Sequence, residues 1–144
     1  DRQFLLGAVK VDVTALALVK PYSFLADRDF ILEAVSLDSA SLIYASAESR
    51  GNSEFVLAAV ARNGASLRYA AERLRTDPGF VIAALEQNRA AAPHVVAELR
   101  EDPAFVLETM RGGWANLDLA APDLQADRSF VLRAVQCKGR ALEY

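Results

Sequence analysis

Residues 27–35 read DRDFILEAV, an acid in front of an aromatic that opens a run of mixed apolar and polar residues. The phrase returns as DRQFLLGAV from residue 1, NSEFVLAAV from 52, DPGFVIAAL from 77, DPAFVLETM from 102 and DRSFVLRAV from 127. The starts are 26 residues apart once and 25 apart four times, and no insertion breaks the register. A fixed period of this length is the mark of a repeat architecture, in which each unit is one supersecondary element.

Every position in the phrase has a physical job. The fourth residue is always Phe: Phe4, Phe30, Phe55, Phe80, Phe105 and Phe130. Apolar or small residues follow four and five places later, such as Ala59 and Val60, so the three share one stripe of an α-helix. The first residue is the N-cap: Asp1, Asp27, Asn52, Asp77, Asp102 and Asp127. Its side-chain oxygen accepts from the first free amides, and the acid lies at the positive end of the helix dipole, a gain of roughly 0.5–2 kcal/mol each. Pro78 and Pro103 fall on the first helical position, where a missing N–H costs nothing. The acids therefore read as architecture.

The helix must then stop. Eleven residues beyond each start stand Asp12, Asp38, Asn63, Asn88, Gly113 and Lys138, of which all but the lysine tolerate a left-handed helix end. Gly64 and Gly139 follow directly in two copies. A second helix of about six to nine residues carries Leu16, Leu42, Leu67, Leu117 and Leu142 at one position. A compact return turn, pinned by Leu74, Leu99 and Leu124, leads to the next cap. Helices this short cannot bury their own apolar faces and must stack on the neighbouring unit. The expected fold is all-α: an α-solenoid of six tandem helix-turn-helix repeats of about 25 residues, the last incomplete. It forms one domain over 1–144, with units 1–26, 27–51, 52–76, 77–101, 102–126 and 127–144.

Composition agrees with a folded chain: 144 residues, 53% hydrophobic and 24% charged. Sixteen Lys and Arg against 19 Asp and Glu leave a net charge of −3, so no whole-chain basic field draws it to nucleic acid. Cys137 is the only cysteine, which excludes a disulfide framework and leads us to expect a reducing, intracellular compartment. The most apolar stretch, FLLGAVKVDVTALALVKPYSFLA, is broken by Lys10, Asp12, Lys20 and Pro21, too soon for a membrane span. The chain starts at Asp1 rather than Met, which leaves room for a processed leader.

The stretches DRDFILEAV…SLIYAS, SEFVLAAVARNGASLRYAAERLRTD and DRSFVLRAVQCKGRALEY resemble the short repeats of the family filed as domain of unknown function 4116. That family's pattern runs Asp, an aliphatic or aromatic helix start, Ala-Val, Asn-Gly, Ala-Leu-x-Tyr-Ala and Leu-x-x-Asp. The resemblance covers nearly the whole chain; the third unit fits best, and the first unit and AAAPHVVAEL in the fourth depart most. It implies the helical repeat and brings no established activity or catalytic residue. The family's occurrence in algal, protist and some bacterial proteins suggests an algal organelle complex, photosynthetic ones included, as a host.

A search for chemistry returns little. His94 is the single histidine, standing where other units carry Tyr or Leu, without a Cys or second His to complete a metal site. No strand precedes a Gly-rich loop, and RGG at 111–113 reads as a helix stop. There is no G-x-S-x-G elbow and no H-E-x-x-H helix. The expectation is a protein without catalytic residues, metal, cofactor or small-molecule substrate.

Candidate partner contacts remain. Arg50, Arg75 and Arg100 recur just before the next cap and would line one edge, ready for an acidic partner or paired with Glu101, Asp102 and Asp77. Trp114, the only tryptophan, stands at an inter-helix turn on an edge of the array, where a partner could reach it. Tyr22 and Phe24 belong to the first unit, the least charged of the six, and the last residue falls inside a second helix. A solenoid needs polar outer faces at its ends, so more chain or another protein is expected to cover them. The leading reading is a scaffold or peripheral subunit of a multiprotein complex. Its rivals are a repeat segment of a larger enzyme or bacterial effector, and a nucleic-acid-binding solenoid, which would need a basic stripe on every unit.

Overall fold

The structure, a computed structural model, describes residues 2–18 and 23–140, with residue 23 and the last three described by backbone alone. The cap expected at Asp1, the contact expected at Tyr22 and the second helix expected around Leu142 lie outside the described residues. Among the described residues every regular element is helical. The α-helices are α1 (Arg2–Val11), α2 (Ser23–Ala26), α3 (Arg28–Leu37), α4 (Ala47–Gly51), α5 (Ser53–Arg62), α6 (Glu72–Arg75), α7 (Pro78–Gln87), α8 (Ala97–Arg100), α9 (Pro103–Arg111), α10 (Pro122–Ala126) and α11 (Arg128–Arg140). Between each long helix and the next short one lies a 3₁₀ segment: Val13–Leu18, Ser39–Tyr44, Gly64–Tyr69, Arg89–His94 and Leu117–Leu119.

The long helices start where the sequence puts their caps. Asp27 Oδ1 accepts from the amides of Asp29 and Phe30, Asn52 Oδ1 from Phe55, and Asp77 Oδ1 from Gly79 and Phe80. Asp102 Oδ1 accepts from Ala104, and Asp127 Oδ1 from Ser129 and Phe130. The Ser129 hydroxyl also donates to Asp127, and these bonds hold its carboxyl below the usual carboxylate range.

The helix ends differ from expectation. Asp38, Asn63 and Asn88 are not left-handed; their φ angles of −148°, −149° and −155° are extended. Each does two jobs at once. Its N–H closes the helix behind, on the carbonyls of Ala34, Ala59 and Ala84, and its side chain caps the 3₁₀ segment ahead, on the amides of Ala40, Ala65 and Ala90. A residue serving as cap in both directions leaves no room for a separate turn. The second helix is accordingly six residues of 3₁₀ in four units, and the return turn is itself a short α-helix. In the last unit Lys138 does not end the helix, since α11 runs on to Arg140.

Asparagine adds a third bond that aspartate cannot make. Asn63 Nδ2 donates to the Val35 carbonyl at 3.4 Å and Asn88 Nδ2 to the Val60 carbonyl at 3.0 Å, each tying a unit to the helix before it. Asn88→Asp keeps the cap and deletes the donor. It is expected to cost about 1–2 kcal/mol in urea-induced unfolding, because a part-buried carbonyl loses its partner.

Consecutive long helices pack on one another, from α1 on α3 through to α9 on α11. The buried side chains fall into two clusters that meet at α5. Phe55 and Ala59 join Val9, Leu16, Phe30, Ile31, Val35 and Leu42, whereas Val56 and Val60 join a cluster that continues through Phe80, Leu85, Phe105 and Met110 to Phe130 and Ala134. Phe24, expected as a partner contact, is half-buried against this core, its ring 5.6 Å from that of Phe30.

Candidate partner-binding site

The 3₁₀ segments also stack in sequence, with Gly64–Tyr69 packed closely on Arg89–His94. That row opens between Arg89–His94 and Leu117–Leu119, which make little contact. Two local departures from the repeat cause the opening.

The first is the exit of α9. Where units two to four place Asp or Asn in an extended conformation, the fifth has Gly112 and Gly113, with Gly113 left-handed at φ +72°. The Gly113 amide donates to the Met110 carbonyl and the Trp114 amide to that of Thr109, a Schellman closure in which only glycine sits without strain. The chain leaves α9 in a new direction and the following 3₁₀ segment shrinks to three residues. Trp114 folds back over Gly112: a Cβ there would lie 2.6 Å from ring atoms Cδ2, Cε2 and Cε3. The indole is half-buried against the larger cluster, with its remaining surface outward.

The second departure is Ala92. The matching residues Leu42 and Leu67 are buried, so a methyl in their place leaves volume unfilled. The result is a cleft of about 290 Å³ lined by Arg89, Ala90, Pro93, Trp114, Asn116 and Asp118 among others. A second cleft of about 250 Å³ adjoins it through Ala92, Pro93 and Asp118, and reaches Arg100 and Leu119.

Two of the residues singled out from sequence, Trp114 and Arg100, thus line adjoining clefts, one each. Arg100 is partly committed, since its Nε donates to the Leu119 carbonyl at 2.9 Å. Arg50 and Arg75 line neither cleft. Both are half-buried with Nε enclosed and without a hydrogen-bond partner, and no ion pair joins Arg75 or Arg100 to Asp77, Glu101 or Asp102. Around them the backbone ties neighbouring units: Ala71 N–H donates to the Arg50 carbonyl, and Arg73 Nη2 to the Gly51 carbonyl at 2.6 Å. Arg50 and Arg100 thus stand at junctions between units, since the carbonyl of each accepts from an amide of the unit that follows, that of Arg100 from Ala121.

Sequence reading did not mark Arg89, Pro93 or Asp118 as contacts. The signal was present in the unit alignment, where Ala92 and Pro93 replace a Leu and its neighbour. Arg89 and Asp118 both stand at the rim without an ion pair. The arrangement combines an aromatic edge, guanidinium and carboxylate groups and a floor of Ala and Pro. Trp and Arg in a concave, partly apolar setting are the residue types that dominate protein-binding hot spots.

His94 closes the 3₁₀ segment beside this cleft. Burial, and secondarily the charge of Arg68, hold its imidazole below the ordinary histidine value. The unfolded chain therefore takes up a proton first, at about pH 6.5. Stability is intact above that pH and is lost as pH falls through the lower folded value. Melting temperatures should decline between pH 7 and 5, and His94→Tyr, the residue of units two and three, should flatten that decline.

Among the described residues, no group of three or more His, Cys, Asp or Glu comes together as a metal site, and no helix is long and apolar enough to cross a membrane. The fold defines an all-helical protein built from recurring three-element units. Within it, residues 52–100 match the family described as a domain of unknown function (DUF4116), so the resemblance seen in the sequence holds across the third and fourth units. The matched span includes AAAPHVVAEL, where the pattern is weakest. No curated protein and no solved structure matches the chain.

Proposed function

We propose that the chain is an α-solenoid of six tandem repeats of about 25 residues, the last incomplete, which binds protein without catalysis as a scaffold or peripheral subunit of a larger assembly. The observation that carries this reading is the opening in the 3₁₀ row at Trp114. Elsewhere the row is packed; here a departure in two units leaves an aromatic residue over a concave surface. A segment of a partner chain fits such a cleft by seating an apolar side chain on Pro93 and Trp114, with its polar flanks reaching Arg89 and Asp118.

The test is purification from the native source under mild conditions, followed by quantitative binding to the partner recovered in stoichiometric amount. Trp114→Ala should weaken binding at least about tenfold, equivalent to 1.4 kcal/mol. Because Trp114 also packs on the core, Arg89→Glu and Asp118→Lys serve as rim changes that leave the fold untouched, and each should shift affinity severalfold. Undiminished binding by all three variants, or purification as a longer polypeptide without partners, would refute the proposal.

A further inference from the structure

Three links join the third unit to the fourth: α5 packs on α7, their 3₁₀ segments stack, and Asn88 Nδ2 donates back to the Val60 carbonyl. The junction between the fourth and fifth units weakens or loses each of them. α7 and α9 touch less than the other successive long helices do, and the segments Arg89–His94 and Leu117–Leu119 make little contact. Gly113 stands where Asn63 and Asn88 stand in their units, with no side chain to reach the carbonyl of Leu85, the counterpart of Val35 and Val60.

At the α8 end the same junction is held. The Arg100 carbonyl accepts from the Ala121 N–H at 2.8 Å, and Arg100 Nε donates to the Leu119 carbonyl at 2.9 Å. Buried Val81, Leu85, Phe105 and Val106 keep the core continuous across the junction. One side is pinned and the other is open. On the open side Arg89, from the fourth unit, and Asp118, from the fifth, line the same cleft. Both are exposed, and they form no ion pair among the described residues.

We infer that this junction is a hinge: α9 to α11 swing about Arg100 against the preceding units, and the swing closes the cleft by bringing Arg89 and Asp118 together. In an array whose units touch only their neighbours, the weakest junction governs the bending of the whole. Closure also covers the outward surfaces of Trp114 and Pro93, an apolar gain. An exposed ion pair contributes little, so open and closed forms coexist. A partner segment seated in the cleft, on the binding reading proposed above, holds the hinge open; the hinge itself is a property of the free chain and is tested without a partner.

Ala61, Glu86 and Arg111 are the exposed tenth residues of units three, four and five. With Cys137→Ser to remove the native thiol, cysteines at two of these positions carry nitroxide labels for pulsed electron resonance. The Ala61→Cys/Glu86→Cys pair, across the packed junction, should give one narrow distance. The Glu86→Cys/Arg111→Cys pair should give two, the shorter matching that of the packed junction. Asp118→Arg should lower the shorter population severalfold, and adding Arg89→Asp should restore it. Arg100→Ala should broaden the distances of the second pair while the first stays narrow, which also shows that the variant has folded. One narrow distance across both junctions overturns the inference, as do two distances whose proportions ignore the charge changes.

Discussion

Replacing Phe55 with alanine should lower the unfolding free energy by about 3–5 kcal/mol, a large part of the roughly 5–15 kcal/mol that holds a domain of this size together. The ring is 5% exposed and belongs to the N-terminal cluster although its helix begins the longer one. Its loss removes buried area, empties a space that flanking helices cannot fill, and leaves the Arg28 guanidinium without its aromatic face. The cap is unaffected, since Asn52 Oδ1 accepts from the backbone of residue 55 whatever its side chain. The cost is therefore one of packing. Urea unfolding followed by circular dichroism gives the magnitude, and amide exchange gives the location. Protection should fall first around Phe30, Val35 and Leu42, and persist around Val81, Leu85 and Val106, which belong to the other cluster. A loss below about 1 kcal/mol would overturn the packing role of the Phe55 ring, and uniform loss of protection would mean that the two clusters open as a single unit.

Gly64→Ala is the second large effect, expected at about 2–3 kcal/mol for the addition of one methyl group. Gly64 is not left-handed, so its role is space rather than backbone freedom. A Cβ would lie 2.6 Å from the Ala90 carbonyl carbon and from the Ala91 nitrogen, and 3.0 Å from the Ala90 Cβ. These are mainly backbone atoms of the neighbouring 3₁₀ segment, which cannot rotate away, so the two segments must separate. Gly79→Ala is the internal control. Its Cβ would meet only Asp77 Oδ1, at 3.4 Å, within α7, and the reduced entropy of the unfolded chain should stabilise by about 0.5–1 kcal/mol. Opposite signs for the same substitution at two glycines, read from melting curves, would establish close approach as the cause. Equal signs would remove it.

The parts legible in the sequence are those set by neighbours along the chain. A cap such as Asp77 bonds to amides two and three residues ahead, and Pro78 occupies the position where a proline costs nothing, so both functions follow from order alone. The sequence marks the second helix without its type because, over six residues, periods of 3.0 and 3.6 place the same leucine on the same side. The left-handed ends expected at Asp38, Asn63 and Asn88 failed for a related reason: a residue that tolerates that conformation adopts it only if nothing better is offered. Here the amide of Ala40, Ala65 or Ala90 offers a cap.

The candidate site was half legible. Trp114 and Arg100 stood out as a lone aromatic and a recurring charge, but neither spacing nor composition places them at adjoining clefts. The floor and rim come from Ala92 and Pro93 in one unit and Asp118 in the next, and the void among them exists because a missing leucine and a redirected helix end coincide. Nor did sequence show that Nε of Arg50 and of Arg75 is enclosed while the residues themselves stay half-exposed.

By itself the sequence determined the helical content, the 25-residue period, the helix starts and the inward Phe stripe, because capping and periodicity act within a turn or two of chain. Only the tertiary structure decided which Phe is covered, which glycine is crowded and where the surface opens, because each depends on what the adjacent unit, 25 residues away, brings within van der Waals reach.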